Sequence, residues 1–363
     1  MTAKPSFHGS DLEKVESFYN IPIKDIINFG ANVNPLGLSD FVHEKLKNHL
    51  DIITVYPDRA YTSLRNTIGN YCHVSSDNII VGNGSTELIS LLIQQNHPKK
   101  ALLLGPTYSE YERELEMIGC ELASYNLEPD TNFKLNMHDL FTQLEQKIDL
   151  LIICNPNNPT STAIWKHEME QLISFCKTLN IFVMIDETYV EFVPDINLVT
   201  AMELVDHYDN LMILRGVSKF FAAPGLRLGY GVTSNINFLR QMKHHQNPWS
   251  LNSLGALAGE LMLSDNVYIT KTKALISSER DRLYRELQTW STIKVFAPLA
   301  NFILLQILKP GITSPFVFEH LIKKGLMIRD CSSFKSLNGE FIRFCIMLPA
   351  DNDRLLHALK EIL

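Results

Sequence analysis

The first two thirds of the chain alternate between two kinds of hydrophobic pattern. Short apolar runs rich in β-branched residues have the length and texture of strands buried on both faces; these runs are 78–81, 100–104, 149–154, 181–185 and 211–214. Between them, segments including 86–95, 109–119 and 165–179 carry apolar residues at helical spacing. This alternation predicts an α/β fold, with a large, doubly wound, mostly parallel sheet over roughly residues 40–240.

The last third of the chain has a different hydrophobic pattern. After residues 247–249 the pattern becomes long and helical, and segments 301–308 and 341–347 then alternate as strands do. The stretch before about residue 40 looks irregular and ends in the turn-rich segment 32–37. We predict three parts: an N-terminal segment (1–40) that joins the small domain, a large domain (41–245) and a smaller α+β C-terminal domain (246–363).

The amino-acid composition and charge argue against several kinds of binding partner. Of the 363 residues, 45% are hydrophobic and 20% charged, which is typical of a globular protein. The formal charge of −7 provides no basic field to attract nucleic acid or anionic lipid, and no apolar run approaches the roughly 20 residues of a membrane span. The six cysteines show no CxxC or metal-type spacing, and residues 1–7 lack a signal-peptide pattern. We therefore expect a cytoplasmic protein without a metal, a membrane anchor or bound nucleic acid.

Polar residues follow three of the predicted strands. Asp186 comes directly after 181–185, Asn158 shortly after 149–154, and Lys219 shortly after 211–214. Because the carboxyl ends of parallel strands meet at one edge of a sheet, these side chains are expected to converge there.

An ordered series of motifs runs through nearly the whole chain. It consists of Gly82-Asn83-Gly84-Ser85-Thr86, Pro106-Thr107-Tyr108, Asn158-Pro159-Thr160, Asp186 to Tyr189, Ser218-Lys219 to Arg227, and Arg343. Each motif is weak alone, but the series in this order resembles the fold-type I enzymes of the aspartate aminotransferase superfamily. The resemblance implies pyridoxal 5′-phosphate (PLP) as cofactor and the fold-type I architecture of two unequal domains.

The resemblance also implies roles at the cofactor. Lys219 would carry PLP as a Schiff base and move protons at the substrate Cα, while Asp186 would keep the pyridine nitrogen protonated. The structural alternatives are an exposed lysine and a helix N-cap, respectively.

The remaining cofactor contacts follow from the same match. The cofactor phosphate would be bound by Arg227, Ser218 and the Gly84-Ser85-Thr86 turn. Asn158 and Tyr189 would hydrogen-bond the phenolate oxygen of the ring, and Tyr108 would stack on its face. Ser161 stands where the family usually has glycine, which predicts a changed turn.

Other residues are implied to bind the substrate. Arg343 would bind its carboxylate, unless it forms a structural ion pair, and Arg329 is a second candidate anion site with Asp330 as a rival partner. A substrate phosphate would need a site of its own, for which the candidates are His8, Gly9, Ser10 and Asn32.

A dimer is implied as well. Tyr56 resembles the tyrosine that crosses a subunit interface to the neighbour's cofactor phosphate, so we expect a homodimer with shared active sites.

Two subfamilies fit best: L-threonine-O-3-phosphate decarboxylase and histidinol-phosphate aminotransferase. Segments 8–10, 31–37 and 247–252 resemble the decarboxylase, as does Pro224 before Gly225. Val33 and Leu36 stand where the aminotransferases tend to have an acidic and an aromatic residue. The resemblance implies decarboxylation of L-threonine O-3-phosphate to (R)-1-amino-2-propanol O-2-phosphate in cobalamin biosynthesis, with the aminotransferase as the alternative.

The cofactor motifs do not distinguish these two reactions, because the same residues serve whichever Cα bond stands perpendicular to the PLP ring. A regulatory protein that keeps the fold without the chemistry is a third hypothesis. It would be expected to carry a basic DNA-binding segment, which residues 1–40 do not provide.

Overall fold

The computed structural model describes residues 7, 9 and 11–363. The strands in these residues are β1 (Ile27–Asn28), β2 (Ile79–Asn83), β3 (Lys100–Gly105), β4 (Glu121–Asn126), β5 (Leu150–Cys154), β6 (Phe182–Asp186), β7 (Leu211–Gly216), β8 (Leu228–Val232), β9 (Ile293–Val295), β10 (Phe302–Ile307), β11 (Leu326–Met327), β12 (Arg329–Asp330) and β13 (Phe341–Cys345). The α-helices are α1 (Leu12–Tyr19), α2 (Asp40–Lys47), α3 (Thr62–Cys72), α4 (Gly84–Asn96), α5 (Glu110–Met117), α6 (Met137–Leu144), α7 (Lys166–Thr178), α8 (Ile236–His245), α9 (Ser253–Ser264), α10 (Asn266–Leu287), α11 (Ser314–Ile322) and α12 (Pro349–Lys360).

A seven-stranded sheet forms the larger part of the molecule, in the order β2-β8-β7-β6-β5-β3-β4. Strands β7, β6, β5, β3 and β4 are parallel, whereas β8 runs antiparallel to both of its neighbours. The predicted mostly parallel sheet is confirmed. The hydrophobic pattern did not predict β4, whose side chains are largely exposed, or β8, in which glycine occupies two of five positions.

Helices cover both faces of this sheet. Ile80 contacts a cluster that includes the apolar sides of α4, α5 and α8. Its neighbours Ile79 and Val81 point the other way, into a core shared with α3, α7 and α9. Every second strand residue therefore faces the opposite layer, which explains the continuous apolar runs and confirms the doubly wound arrangement.

The smaller sheet has four antiparallel strands in the order β12-β13-β10-β9. Strands β10 and β13 fall within the predicted segments 301–308 and 341–347. They are buried at nearly every position rather than at every second one, because α10 contacts β10 and the chain near Phe29 hydrogen-bonds to Cys345. An α+β unit in the C-terminal third is confirmed.

The N-terminal stretch is more regular than its sequence suggests. Leu12–Tyr19 forms helix α1 with Val15 buried, and β1 pairs in parallel with β11 of the C-terminal third. The expectation of an irregular segment is therefore wrong for these residues, because pairing with a distant strand orders them. The domain boundaries at 40/41 and 245/246 stay predictions.

The turn at 32–37 is fixed by one buried side chain. Nδ2 of Asn34 lies within hydrogen-bond distance, 2.8–2.9 Å, of the carbonyl of Phe220 and the hydroxyls of Tyr268 and Thr272, and its two hydrogens are shared among these acceptors. These contacts hold the N-terminal segment against the loop after Lys219.

Among the residues described, none of the helices combines the length and apolar character that a membrane span requires. All six cysteines are buried and unpaired.

Candidate active site

A cavity of about 380 Å³ lies at the carboxyl edge of the large sheet, facing the small sheet. Most of the predicted site residues line it: Gly9, Asn32, Ser85, Thr86, Tyr108, Asn158, Asp186, Tyr189, Ser218, Lys219, Arg227, Arg329 and Arg343. His8 and Ser10 lie outside the described residues. The structure thus brings together residues that are up to 334 positions apart, from Gly9 to Arg343.

Lys219 follows β7 and is partly buried. Its amine donates a 2.6 Å hydrogen bond to the carbonyl of Ala31. Burial, and next the positive charge of Arg343, lower the pKa of the amine to about 8. A sizeable fraction of this lysine is therefore neutral near physiological pH, as a nucleophile or general base requires.

Asp186 is the last residue of β6, and both of its carboxylate oxygens are occupied by donors. Oδ1 accepts hydrogen bonds from the backbone amide of Thr188 at 2.9 Å and from its hydroxyl at 2.5 Å. Oδ2 accepts a 2.7 Å hydrogen bond from the hydroxyl of Tyr111. The carboxylate caps no helix, since the following short 3-10 helix begins only at Val190.

Tyr111 is a pocket residue that the sequence did not reveal. It lies on α5 three positions after Tyr108, and its ring is almost fully buried. Along the sequence it looks like any apolar position of an amphipathic helix. Only the position of α5 against β3 and β4 of the large sheet shows that its hydroxyl reaches Asp186.

An anion-binding cup forms where α4 begins and β8 begins. Ser85 and Thr86 lie in the first turn of α4, and Ser218 and Arg227 line the same cavity, with the Arg227 guanidinium next to Gly84. Gly84 does not line the cavity, but its φ of +79° favours glycine, and a Cβ there would lie 2.3 Å from Nη2 of Arg227 and displace the guanidinium. A helix N-terminus, hydroxyls and a guanidinium together suit a phosphate group.

Asn158 and Tyr189 both reach the cavity and both contact other polar residues. Oδ1 of Asn158 accepts a short hydrogen bond from Arg343. The hydroxyl of Tyr189 accepts one from Nδ2 of Asn32 at 3.4 Å. Oδ1 of Asn32 is buried without a partner in the described part of the chain, so the pocket offers an unused acceptor.

Arg329 and Arg343 stand directly opposite each other on β12 and β13. Their guanidinium groups donate to neutral acceptors: Arg343 to the carbonyl of Gly30 at 2.7 Å, and Arg329 to the hydroxyl of Ser333 at 2.7 Å. Within residues 7, 9 and 11–363 neither forms an ion pair with a carboxylate. Burial, and then Arg343, lower the pKa of Arg329.

Asp330, considered above as a partner for Arg329, instead accepts hydrogen bonds from Ser314 and from the backbone of Ser332. The structural ion pair considered for Arg343 is also absent from the described residues. Both guanidinium groups therefore remain available to anions in the cavity.

Ser161 does not change its turn as expected. It takes φ = 61°, the left-handed conformation that glycine would adopt easily. Its hydroxyl accepts a 2.9 Å hydrogen bond from the amide of Ala300, and its carbonyl accepts one from Leu299. These two bonds from a distant loop offset the cost of positive φ at a non-glycine residue.

Tyr56 lies away from the cavity of its own protomer. Its side chain is 79% exposed, and its ring packs on Trp249 with 4.7 Å between ring centroids. A role for Tyr56 at an active site would therefore require a second subunit.

The family model for class I and II aminotransferases matches residues 24–359. The chain belongs to the class I and II aminotransferase family. Its fold is that of the fold-type I enzymes, and its cofactor is PLP.

Similar proteins include members of both subfamilies. The threonine-phosphate decarboxylase of Salmonella typhimurium is 32% identical over 99% of this chain and 97% of its own. A bifunctional adenosylcobalamin biosynthesis protein, CobDQ of Leptospira interrogans, is 28% identical over 98% of this chain, which spans 41% of that protein. The structure of histidinol-phosphate aminotransferase from Clostridium acetobutylicum matches with a TM-score of 0.86 and 32% identity, over 92% of this chain and 98% of its own.

The pocket fits PLP by its own chemistry. The cup around Arg227 suits the cofactor phosphate, and Asp186 offers a buried carboxylate for the pyridine nitrogen. Lys219 offers an amine with a lowered pKa for the aldehyde.

Proposed function

We propose that this chain is a PLP-dependent decarboxylase that converts L-threonine O-3-phosphate to (R)-1-amino-2-propanol O-2-phosphate in cobalamin biosynthesis. The assignment of the individual residues to cofactor and substrate belongs to the same proposal.

The main support for this proposal is the position of Arg329 directly opposite Arg343 on neighbouring strands. Like charges directly opposite on neighbouring strands repel, and a buried guanidinium without an anion is unfavourable. Both side chains are about 95% buried and open into the cavity beside Lys219. A substrate with a carboxylate and a second anionic group, such as an amino-acid phosphate, would neutralise both.

The chain's own residues then have defined tasks. When bound, PLP accepts the electron pair released when a bond to the substrate Cα breaks. Arg343 binds the substrate carboxylate and Arg329 the phosphate, while Asn158 fixes the position of Arg343. Lys219, whose pKa of about 8 allows both protonation states near neutral pH, would deliver a proton from its ammonium form to Cα after CO₂ leaves.

Two observations favour decarboxylation over transamination. Val33 lines the cavity at a place where the aminotransferases tend to have an acidic residue. A putative threonine-phosphate decarboxylase of Caldanaerobacter subterraneus is 36% identical over 92% of this chain, against 32% for the Clostridium aminotransferase. Histidinol-phosphate aminotransferase is the second candidate, and the Clostridium structure favours it.

The reaction is tested with O-phosphothreonine labelled with ¹³C at the carboxylate. We expect labelled CO₂ and aminopropanol phosphate in equal amounts, and no product from a Lys219→Ala variant. Formation of glutamate from 2-oxoglutarate only in the presence of histidinol phosphate, without CO₂ from phosphothreonine, would establish the aminotransferase instead.

The proposed roles of Arg329 and Arg343 can be distinguished by comparing a phosphorylated with an unphosphorylated substrate. Arg329→Gln should lower kcat/KM for phosphothreonine by roughly 10- to 100-fold, the value of a charge-assisted hydrogen bond, and should change the slow reaction of unphosphorylated threonine little. Equal losses for both substrates would contradict the assignment of Arg329 to the phosphate.

We also propose a homodimer with shared active sites. The segment 50–56 exposes four large apolar side chains by 52–79%: Leu50, Ile53, Val55 and Tyr56. Tyr56 packs on Trp249, which is itself 40% exposed. An apolar patch of this kind supports association, and a second copy of the chain would bring Tyr56 to the neighbour's cofactor phosphate.

The cytoplasm is the proposed location. Six buried cysteines without a disulfide support a reducing compartment.

A further inference from the structure

Tyr111 is a buried residue that lines the cavity. The residue is 1% exposed and packs among apolar residues of α4, α5 and the sheet. Burial, and then the charge of Asp186, hold the pKa of Tyr111 well above its usual value. The hydroxyl therefore keeps its proton and donates a hydrogen bond to Oδ2 of Asp186.

This hydrogen bond completes the support of the Asp186 carboxylate. Oδ1 is held by the amide and hydroxyl of Thr188, two residues further along the chain. Oδ2 is held by Tyr111, which lies on α5 and is distant from Asp186 along the chain. Without Tyr111 the carboxylate could rotate about Oδ1, because both other donors belong to one neighbouring residue.

The same tyrosine supports a second wall of the pocket. Its ring lies edge-on to Tyr108, with 5.6 Å between ring centroids and 86° between ring planes. One side chain thus contacts both the carboxylate and the aromatic ring that we assign to the cofactor.

We propose that Tyr111 is a positioning residue that aims the Asp186 carboxylate at the ring nitrogen of the cofactor and keeps that nitrogen protonated. The inference rests on the role proposed above for Asp186. Donation from Tyr111 stabilises the ionised carboxylate, so the shared proton stays on the ring. Loss of the hydroxyl would make the carboxylate both more mobile and a stronger competitor for that proton.

The test uses holoenzyme reconstituted with PLP labelled with ¹⁵N in the ring. We expect the ¹⁵N chemical shift of the wild type to lie in the pyridinium range, and that of Tyr111→Phe to move toward neutral pyridine at the same pH. The kcat should fall about 10-fold or more, with little change in KM, because the effect acts on the cofactor rather than on substrate binding. Tyr125→Phe is the matched control, since Tyr125 lies on edge strand β4 and, among the residues described, donates only to the carbonyl of Asn136.

An unchanged chemical shift and kcat in Tyr111→Phe would overturn the inference. Borohydride trapping of PLP on Lys219 in the wild type, checked by peptide mapping, distinguishes the failure of this inference from the failure of the proposed function. Should Tyr111→Phe not fold, 3-fluorotyrosine at position 111 provides a second variant, because its more acidic hydroxyl donates more strongly. It should move the ring nitrogen further toward the protonated state, and the opposite or no movement would contradict the inference.

Discussion

The amine of Lys219 lies among protein atoms, within the electric field of two guanidinium groups from opposite sides of the cavity. Burial lowers its pKa most, followed by the charge of Arg343, with a smaller contribution from Arg227. Neither arginine is close to it along the chain. The pKa of this residue therefore depends first on its burial and then on charges that reach it from distant parts of the chain.

The influence of Arg343 on Lys219 is measurable in the protein before PLP is added. The rate at which PLP becomes attached to Lys219 should rise with pH through about 8, as the amine loses its proton. In Arg343→Gln the midpoint should move to higher pH, because the removed positive charge favoured the neutral amine. At pH 8 the rate should fall about fivefold.

The rate is obtained by borohydride trapping between about pH 6 and pH 10, a range that brackets the expected midpoint. Arg354→Gln on α12, an exposed position, serves as the control. An identical midpoint in Arg343→Gln and the wild type would show that burial alone lowers the pKa.

At the scale of elements, the antiparallel direction of β8 brings Arg227 to the start of α4, where the candidate anion-binding cup lies. Because β8 runs against β7, its beginning rather than its end lies at the carboxyl edge of the sheet, and Arg227 directly precedes it. Gly229 then passes so close to α4 that a Cβ would lie 2.3 Å from the amide nitrogen of Ser85. The helix terminus and the arginine are thus held together by backbone contact.

Gly229→Ala should push the start of α4 away from β8. Overpacking of this kind typically costs 1–3 kcal/mol, and because the helix terminus forms part of the cup, PLP should bind roughly 10- to 100-fold more weakly. Equilibrium dialysis with PLP and thermal unfolding measure the two effects.

Gly339→Ala is the matched control, since the nearest atom to its Cβ is Pro315 Cδ at 4.0 Å. Wild-type PLP affinity in Gly229→Ala would show that α4 can shift without loss of the cup.

At the scale of the whole molecule, the cavity lies where three parts of the chain meet. The large sheet contributes Lys219 and Asp186, the small sheet contributes the two arginines, and the N-terminal segment contributes Gly9 and Asn32. The proposed dimer adds a fourth part, Tyr56 of the second subunit.

A shared site can be tested by mixing two inactive variants. Lys219→Ala and Tyr56→Ala homodimers should each have low activity. Mixed dimers should regain one intact site, formed by Lys219 of one subunit and Tyr56 of the other, so a random mixture should reach about one quarter of wild-type activity.

The control mixes Lys219→Ala with Asn158→Ala. Both of these residues line the cavity of one protomer, so exchange of subunits restores no complete site. Failure of the Tyr56→Ala mixture to recover, with mixed dimers present by mass, would rule out the shared site.

Much of this arrangement could be predicted from the chain alone. The runs before Asn158, Asp186 and Lys219 gave the parallel strands, because burial on both faces leaves a local hydrophobic signature. The polar residues that follow these runs lie at one sheet edge for a topological reason, so they gave the location of the site.

Other features depended on which distant segments pack together. The Arg329 and Arg343 pair requires the register of β12 against β13, and the bond from Tyr111 to Asp186 requires the packing of α5 on the large sheet. Ser161 tolerates a left-handed turn only because Ala300 and Leu299 donate to it. The sequence by itself determined the parallel core strands and the candidate cofactor residues, whose signals are local. Only the tertiary structure decided which charges and hydroxyl groups meet in the pocket, because long-range register leaves no mark on local periodicity.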